Sequence, residues 1–590
     1  MRTPALIRRL IPRLYEDACF LVVDKPAGID VGGLSEKGVT GLVELLTELH
    51  PRESSSSPSK GEGRGEGQGN RPLFVVNRLS RYESGVLILG KDAESAAFVR
   101  NGLKAQRVEQ EYIAVLIGRM NDRQMVLETR EGASKGRSRG AVKSSRTRGG
   151  AATRATATKP SPPVSPLGKG GGYPQLTPTT LTRLRQSQHR ALVRCRTSVS
   201  NTHALRAQLR SVRLRLLGDN VHDPSPRRQH NEATRLHLAK LTFHHPALKT
   251  RIGVASPAPE SFGAVLDGGV DIERPLRAAL TRRIACLMDT GTDCFRLITG
   301  GSEDLTGLNA EKYGDVIVLQ VLDERADNRE LLMRVARWYR EMLDVRAVYV
   351  KPFVKERTRL DDATARRIGS PKPLWGDPVP PQTQVRERGL RFAIRPYDGF
   401  NVGLFLDHRD NRSRVRELAH AADVLNLFAY TCGFSVAAAG GGAKSTVSVD
   451  LSPKHLEWGR TNFTLNGLDL ANHLFIRSDA ADYLKRAKRQ EKAFDLIVID
   501  PPSFAHGKSS SGDFSIMTDL PKLVSAALEV LRPGGTIMVS TNYRRMSLSG
   551  LKERVLQGAG ARRAKITSAP PLPPDFAVDR DHAKTIFVQC

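Results

Sequence analysis

Cysteine is scarce in this chain, and what there is has no pattern. Six cysteines in 590 residues (Cys19, Cys195, Cys286, Cys294, Cys432, Cys590) form no CxxC pair and no Cys/His group with metal-ligand spacing. That spacing excludes a structural zinc site and a disulfide framework, and it suits reduced thiols in the cytoplasm; no metal is expected. Long hydrophobic runs are missing too. No apolar stretch approaches the roughly 20 residues needed to span a bilayer, and the opening MRTPALIRRLIPRLYED breaks every apolar run with charge, so no secretory core is expected. The reading is a soluble, cytoplasmic protein without a membrane partner. Acid is short relative to base: 62 Asp plus Glu against 91 Lys plus Arg leave a net charge of +29. Such an excess points to a polyanionic partner, nucleic acid first, although Arg-heavy tracts at 135–148 and 183–215 inflate the sum. No GxGxxG follows the first strand of the later α/β pattern, where the turn reads AYTCGF, and this disfavours a dinucleotide-dependent dehydrogenase.

What the chain does have is concentrated between Asp423 and Phe504. The run Val424 to Phe428 is apolar and breaks at the small-residue turn Thr431-Cys432-Gly433. A helical run from Ser435 to Ala439 follows, giving strand, tight turn, helix. A second strand, Thr446 to Val449, ends on Asp450. A third, Leu496 to Ile499, ends on Asp500-Pro501-Pro502-Ser503-Phe504. Ligands of open α/β sheets bind outside the carboxyl ends of the strands, and an acid ending the second strand suits a ribose diol. These three strand ends predict a cleft for a nucleotide-like cofactor.

FLDHRDNR (405–412), LNLFAYT, Asp450, HLEWGRTNFTLNGL, Asp479, IDPPSF and GGTIMVSTN (534–542) occur in that order over the last third of the chain. Together they resemble the class I S-adenosylmethionine-dependent methyltransferases that modify large-subunit ribosomal RNA, and within them the guanine-N7 methyltransferase half of the bifunctional 23S rRNA enzyme. The resemblance implies a Rossmann-like, seven-stranded α/β domain over 389–590, S-adenosyl-L-methionine as cofactor, and 23S rRNA, free or in an assembling subunit, as partner. It also assigns residues. Asp407 and Arg409 are expected to help hold the cofactor; by sequence alone the segment equally reads as a helix N-terminus with Asp407 as cap and its charges on a solvated face. Asn426, Phe428 and Thr431 fall where the methionine portion passes. Asp450 is expected to accept from the ribose hydroxyls, although it or Ser452 would also cap the helix from Pro453. Asp479 matches the acid that meets the adenine amino group and equally suits a cap for the helix from Ala480. Trp458 and Phe463 sit at helical spacing and read as packing. Asp500, Pro501 and Pro502 form the catalytic corner, with Phe504 as a stacking platform for a flipped base. Asn542, Arg545 and Arg580 are candidates for contact with RNA.

The target atom follows from chemistry as far as it goes. Cytosine C5 methylation needs a thiolate to add to the ring first, and neither DPPSF nor VSTNYRR contains cysteine. Guanine N7 has an in-plane lone pair and needs no proton removed, and STNYRR is similar to the SNNKR run of the N7 enzyme. Guanine N2 stays open, as do cytosine C5, a bifunctional synthase and methyltransferase, and a non-enzymatic RNA-binding assembly factor. An intact IDPPSF argues against the last.

The first part of the chain has a strand from Phe20 to Val23, a Lys25-Pro26 turn, the loop NRLSRYESG (77–85), a strand carrying Tyr112, Thr202 to Arg206, LLGD (216–219) and RLHLAKLTFHHP (235–246). These resemble an α+β family of RNA pseudouridine synthases over Leu14 to Phe262, interrupted by low-complexity inserts at about 51–71 and 130–174. The family's carboxylate falls where this chain has Ser80, and a hydroxyl does not supply that charge near neutral pH. The domain 1–262 is therefore expected to be inactive and to serve RNA binding; Glu83 is the alternative acid, and is expected to point to another side of the loop. Between the two lies a small α+β module with a linker, 264–388, with helices over 276–287 and 330–343, a strand over 346–351 and a Pro-rich linker at 371–384. Lys312, Lys351 and Lys355 read as a solvated basic face or, alternatively, as RNA contacts. No residue pattern fixes an oligomeric state.

Overall fold

The computed structural model describes residues 3–32, 41–49, 72–127, 178–199, 202–219, 234–352, 361–502, 504–505, 514–560, 564–578 and 583–590. The chain forms two compact units. One holds Ile7–Ser35 and Thr40–Thr281, the other Arg282–Cys590 with a few N-terminal residues. The boundary expected at 262–264 thus falls later, because the helices Ser261–Leu266 and Glu273–Arg282 belong largely to the first unit. Among the described residues no helix is long and apolar enough to cross a membrane.

The first unit is built on an 11-stranded sheet. Its strand Leu236–His244 runs antiparallel to Glu109–Ile117 and parallel to Ser84–Gly90. Every residue of Ser84–Gly90 is buried, as a strand covered on both faces requires. The loop before it exposes Ser80 and Tyr82. Glu83 does not point away from that loop, as the sequence suggested. Its Oε2 accepts from the Ser80 backbone N–H at 2.8 Å, and its Oε1 accepts from Arg206 Nη2 at 2.7 Å, with both side chains buried. Beneath it Lys25 donates to the carbonyls of Glu83 (2.7 Å) and Pro26 (3.0 Å), and burial pulls its ammonium down to about 7.

The second unit begins with a five-stranded sheet in the order Cys294–Thr299, Leu308–Tyr313, Val316–Val321, Ala347–Pro352, Trp375–Gly376. The helix Arg329–Met342 is capped by Asn328, whose side chain accepts from Leu331 N at 3.0 Å. Three expectations need correction here. The helix expected over 276–287 is broken at Arg283, whose buried guanidinium donates to Glu303 Oε1 (2.7 Å), Glu303 Oε2 (2.9 Å) and the carbonyls of Arg296 and Asp575. The Pro-rich 371–384 tract is no free linker: Trp375–Gly376 pairs with the sheet and Val379 is buried in the same core as Tyr349 and Phe392. Lys312 and Lys351 do not form a solvated face. Lys351 is 4% exposed and donates to the Gly399 carbonyl at 2.5 Å, and burial pulls it down to about 8; burial also lowers Lys312, which donates to the carbonyls of Asp293 and Gly314. Lys355 lies outside the described residues.

The hairpin Thr383–Glu387 and Leu390–Ile394 leads into the main sheet. Its strands are β1 (Asp423–Leu427), β2 (Ser445–Asp450), β3 (His473–Arg477), β4 (Phe494–Ile499), β5 (Leu531–Thr541), β6 (Lys565–Ser568) and β7 (Lys584–Gln589), in the order β3-β2-β1-β4-β5-β7-β6. All neighbours are parallel except β7, which is antiparallel to β5 and β6. Helices α1 (Arg409–Leu418), α2 (Gly433–Gly440), α3 (Pro453–Leu465), α4 (Ala480–Arg489), α5 (Ile516–Leu528) and α6 (Leu548–Ala559) complete it. The strands are apolar on both sides because both faces are covered. Leu425, Leu427, Ile497, Ile499, Ile537 and Val539 pack with α4, α5 and α6, while Val424, Leu496, Val498 and Met538 pack with α1 and α2. This two-residue alternation puts Asn426 on the α2 side. Between β1 and β4 the strand order reverses, which is where an open sheet of this kind leaves a crevice at its carboxyl edge.

Candidate active site

A cleft of about 1090 Å³ opens at that edge, lined by the ends of all five parallel strands. The turn after β1 supplies Phe428, Ala429, Tyr430 and Thr431; β2 supplies Asp450; the end of β3 supplies Ser478 and Asp479; β4 supplies Asp500, Pro501 and Pro502; and β5 supplies Asn542. Gly403, Phe405, Asp407, His408 and Arg412 close one wall and Lys522 with Leu523 of α5 another.

The first turn is held in an uncommon shape. Phe428, Tyr430 and Cys432 all have left-handed backbone (φ +57°, +49° and +61°), which side-chain-bearing residues adopt only where surroundings enforce it. The enforcing contacts are visible. Tyr430 N donates to Asp450 Oδ2 at 2.8 Å, Asn462 Nδ2 to the Thr431 carbonyl at 2.9 Å, and Thr431 Oγ1 to the Gly403 carbonyl at 2.6 Å. Gly403 itself has φ +116°, and a Cβ there would overlap the indole of Trp458. Cys432 is sealed from the other side, where a Cβ at Gly459 of α3 would collide with its sulfur.

The acids differ in how they are used. Asp450 Oδ1 accepts from Ser452 N at 2.8 Å, while Ser452 Oγ accepts from His455 N at 3.3 Å and caps α3, so the cap falls to the serine. Asp479 does cap its helix, with Oδ1 accepting from Ala481 N (2.9 Å) and Asp482 N (3.2 Å), and it lines the cleft as well. Asp500 Oδ2 lies 3.3 Å from His408 Nε2. Burial pushes the Asp500 carboxyl above the usual carboxylate range, and the neighbouring Asp407 adds to this while His408 works against it.

Two expected cofactor residues are not in the cleft. Arg409 is 3% exposed and pairs with the fully buried Asp575; burial works against its charge, and the Asp575 carboxylate beside it more than offsets that. Asn426 turns under α2, where its Nδ2 donates to Ser435 Oγ at 2.9 Å. The segment DHRDNR does not form a solvated face: Asp407, His408, Arg409, Asn411 and Arg412 are all buried, and Asp410 is half-buried. Arg412, three residues on from Arg409, reaches the cleft wall, where its Nε donates to Glu387 Oε1 (2.6 Å) and its Nη2 to Glu387 Oε2 and the Phe405 carbonyl, each at 2.7 Å. Arg545 is exposed outside the cleft lining. The Phe504 side chain and Arg580 lie outside the described residues. Trp458 and Phe463 are packing residues, the former donating its Nε1 hydrogen to the Ala393 carbonyl at 3.0 Å. Sequence reasoning missed His408, Tyr430 and Lys522 as lining residues. Only His408 carried a signal, standing next to Asp407 in DHRDNR.

Residues 304–583 match the family model described as S-adenosylmethionine-dependent methyltransferase, and residues 19–211 match RNA pseudouridylate synthase. The chain is 38% identical over 246 residues to ribosomal RNA large subunit methyltransferase K of Neisseria meningitidis, covering 41% of this chain and 67% of the relative. It is 46% identical over 166 residues to ribosomal RNA large subunit methyltransferase K/L of a Psychrobacter species, which is 28% of this chain but 20% of that protein, so the match spans about a fifth of this longer relative. The solved structure of SMU.776, complexed with SAH, is 26% identical and aligns over 64% of this chain and 95% of its own with a TM-score of 0.49.

Proposed function

The chain belongs to the S-adenosylmethionine-dependent methyltransferase family, and from that premise we propose that it methylates a base of 23S rRNA, at guanine N7, with its first unit binding RNA rather than isomerising uridine. The observation that carries this reading is the convergence of Asp450, Asp479 and Asp500-Pro501-Pro502 on one cleft at the carboxyl edge of a parallel sheet. The cleft fits the cofactor: its volume exceeds what a nucleoside-sized ligand needs, leaving room for a base, and acids stand where hydroxyl and amino donors are to be met. When bound, S-adenosylmethionine supplies an electrophilic methyl group on a sulfonium. Asp450, its carboxylate oriented by two backbone N–H groups, accepts from the ribose hydroxyls, and Asp479 faces the adenine end. Phe428 and Thr431 line the path of the methionine portion, and Asp407 lines the same cleft.

Pro501 and Pro502 stiffen the corner beside Asp500, so catalysis rests on alignment of donor and acceptor. Alkylation at N7 leaves the guanine ring cationic, and the Asp500 carboxylate is the countercharge at the cleft wall. The same cation lowers the carboxyl that burial has raised. Asn542, at the end of β5, is placed to orient the base. The route through C5 lacks its nucleophile, since none of the six cysteines lines the cleft, and burial pushes the Cys432 thiol up to about 12. The names of the relatives favour large-subunit rRNA as substrate. Nucleoside mass spectrometry of 23S rRNA from cells with and without the gene tests the proposal. Loss of 7-methylguanosine on deletion is expected; loss of 5-methylcytosine or 2-methylguanosine instead would refute the target atom, and an unchanged profile would refute rRNA methylation.

A further inference from the structure

Two hydrogen-bond arms start at one buried amide and meet on the catalytic carboxylate. Asn411, in the first turn of α1, donates from Nδ2 to His408 Nδ1 at 3.0 Å and to Thr585 Oγ1 at 2.9 Å, one hydrogen for each. Along one arm Thr585 Oγ1 donates to Ser540 Oγ at 3.1 Å, and Ser540 in turn donates to Asp500. Along the other, the imidazole accepts at Nδ1 and so carries its hydrogen on Nε2, 3.3 Å from Asp500 Oδ2. The opposite amide orientation would place an oxygen against His408 and move the ring hydrogen to Nδ1. A bare Nε2 lone pair would then face a carboxylate oxygen, which is repulsive. With the amide in this orientation, every donor direction along both arms is consistent and both arms end at Asp500.

The burial of the members separates wiring from working end. Ser540 and Thr585 are 0% and 4% exposed and His408 and Asn411 are 4% and 6% exposed, whereas the Asp500 side chain keeps 25% of its surface open on the cleft. Thr585 comes from β7 and Ser540 from β5, so three separate parts of the fold fix one carboxylate.

Resting on the methyltransferase reading above, we propose that His408 is a positioning residue for methyl transfer: tautomer-locked by Asn411, it holds the Asp500 carboxylate in the rotamer whose free lone pairs face the acceptor base. Because misplacing a reacting group by about 1 Å costs on the order of a hundredfold in rate, losing the lock is expected to act on turnover, with cofactor binding left alone.

The test uses the full-length protein with 23S rRNA and S-adenosylmethionine. His408→Phe and Asn411→Leu are expected to lower kcat by roughly a hundredfold while the Kd for S-adenosylmethionine and the KM for RNA stay within about threefold. His408→Gln, which puts an amide N–H where the imidazole Nε2–H was, is expected to recover most of the turnover. Wild-type kcat in His408→Phe, or equal impairment of His408→Gln and His408→Phe, would overturn the positioning role. A tenfold or larger change in cofactor Kd would reassign His408 to binding. Nitrogen-15 NMR of the histidine rings, assigned by difference against His408→Gln, reads the tautomer without any turnover. A hydrogen on Nε2 of the wild type is expected, and a hydrogen on Nδ1 would overturn the lock even if rRNA proved not to be the substrate. Absence of any methyl transfer by wild type with the Nε2 tautomer intact would instead count against the substrate reading.

Discussion

Arg409 and Arg412 stand three positions apart on α1 and answer to different partners, Asp575 and Glu387. No spacing in the sequence separates them, because Asp575 lies 166 residues further along the chain. The acids at 450, 479 and 500 were legible for the opposite reason: each ends or follows an apolar strand, and the two-residue alternation fixes where a strand end points. The same alternation, applied to Asn426, would have placed it under α2 with Ser435. Removing one member of a buried ion pair costs about 3–5 kcal/mol, so Arg409→Ala is expected to lower stability by that order in a denaturant titration. The affinity of the folded fraction for S-adenosylmethionine, read by calorimetry, is expected to stay unchanged. Lys351 carries a pH signature. Its folded value, near 8, lies below the ordinary 10.5 of an unfolded lysine, so between those pH values the unfolded chain binds the extra proton and stability rises with pH. Lys351→Met should therefore flatten the rise in denaturation midpoint between pH 8 and 10; a slope equal to wild type would place the titration elsewhere.

Among the elements, the turn after β1 is the least predictable from sequence and the most dependent on its neighbours. AYTCGF reads as a generic small-residue break, yet Tyr430 and Cys432 within it, and Phe428 just before it, take left-handed backbone. The contacts that hold them come from Asp450, Asn462 and Gly403, in three other parts of the chain. Gly403 has both a positive φ and no room for a Cβ against Trp458. Gly403→Ala is therefore expected to destabilise by about 1–3 kcal/mol and, by releasing the carbonyl that Thr431 uses, to weaken S-adenosylmethionine binding several-fold, with melting and titration calorimetry as the paired readouts. The tract 371–384 misled for a related reason. Its proline content reads as a linker, but Val379 supplies one apolar side chain that buries, and a two-residue edge strand anchors the rest.

For the molecule as a whole, order of motifs carried the fold class: strand, acid, strand, acid-proline corner is legible without coordinates. Where the units divide was not legible, since the helices between 261 and 282 have apolar faces that give no hint of which core they join. The first unit keeps the sheet of a synthase but shows a serine at its exposed loop and an acid folded beneath it against Arg206. Full-length protein incubated with unmodified 23S rRNA is accordingly expected to yield no pseudouridine by mass spectrometry, and clear isomerisation would restore Glu83 as a working acid. The sulfur of Cys432 is closed in by a glycine of α3, and burial pushes its thiol up to about 12, so peroxide and electrophiles meet little thiolate at the turn after β1. Oxidants that act through a thiolate therefore gain little hold on this turn.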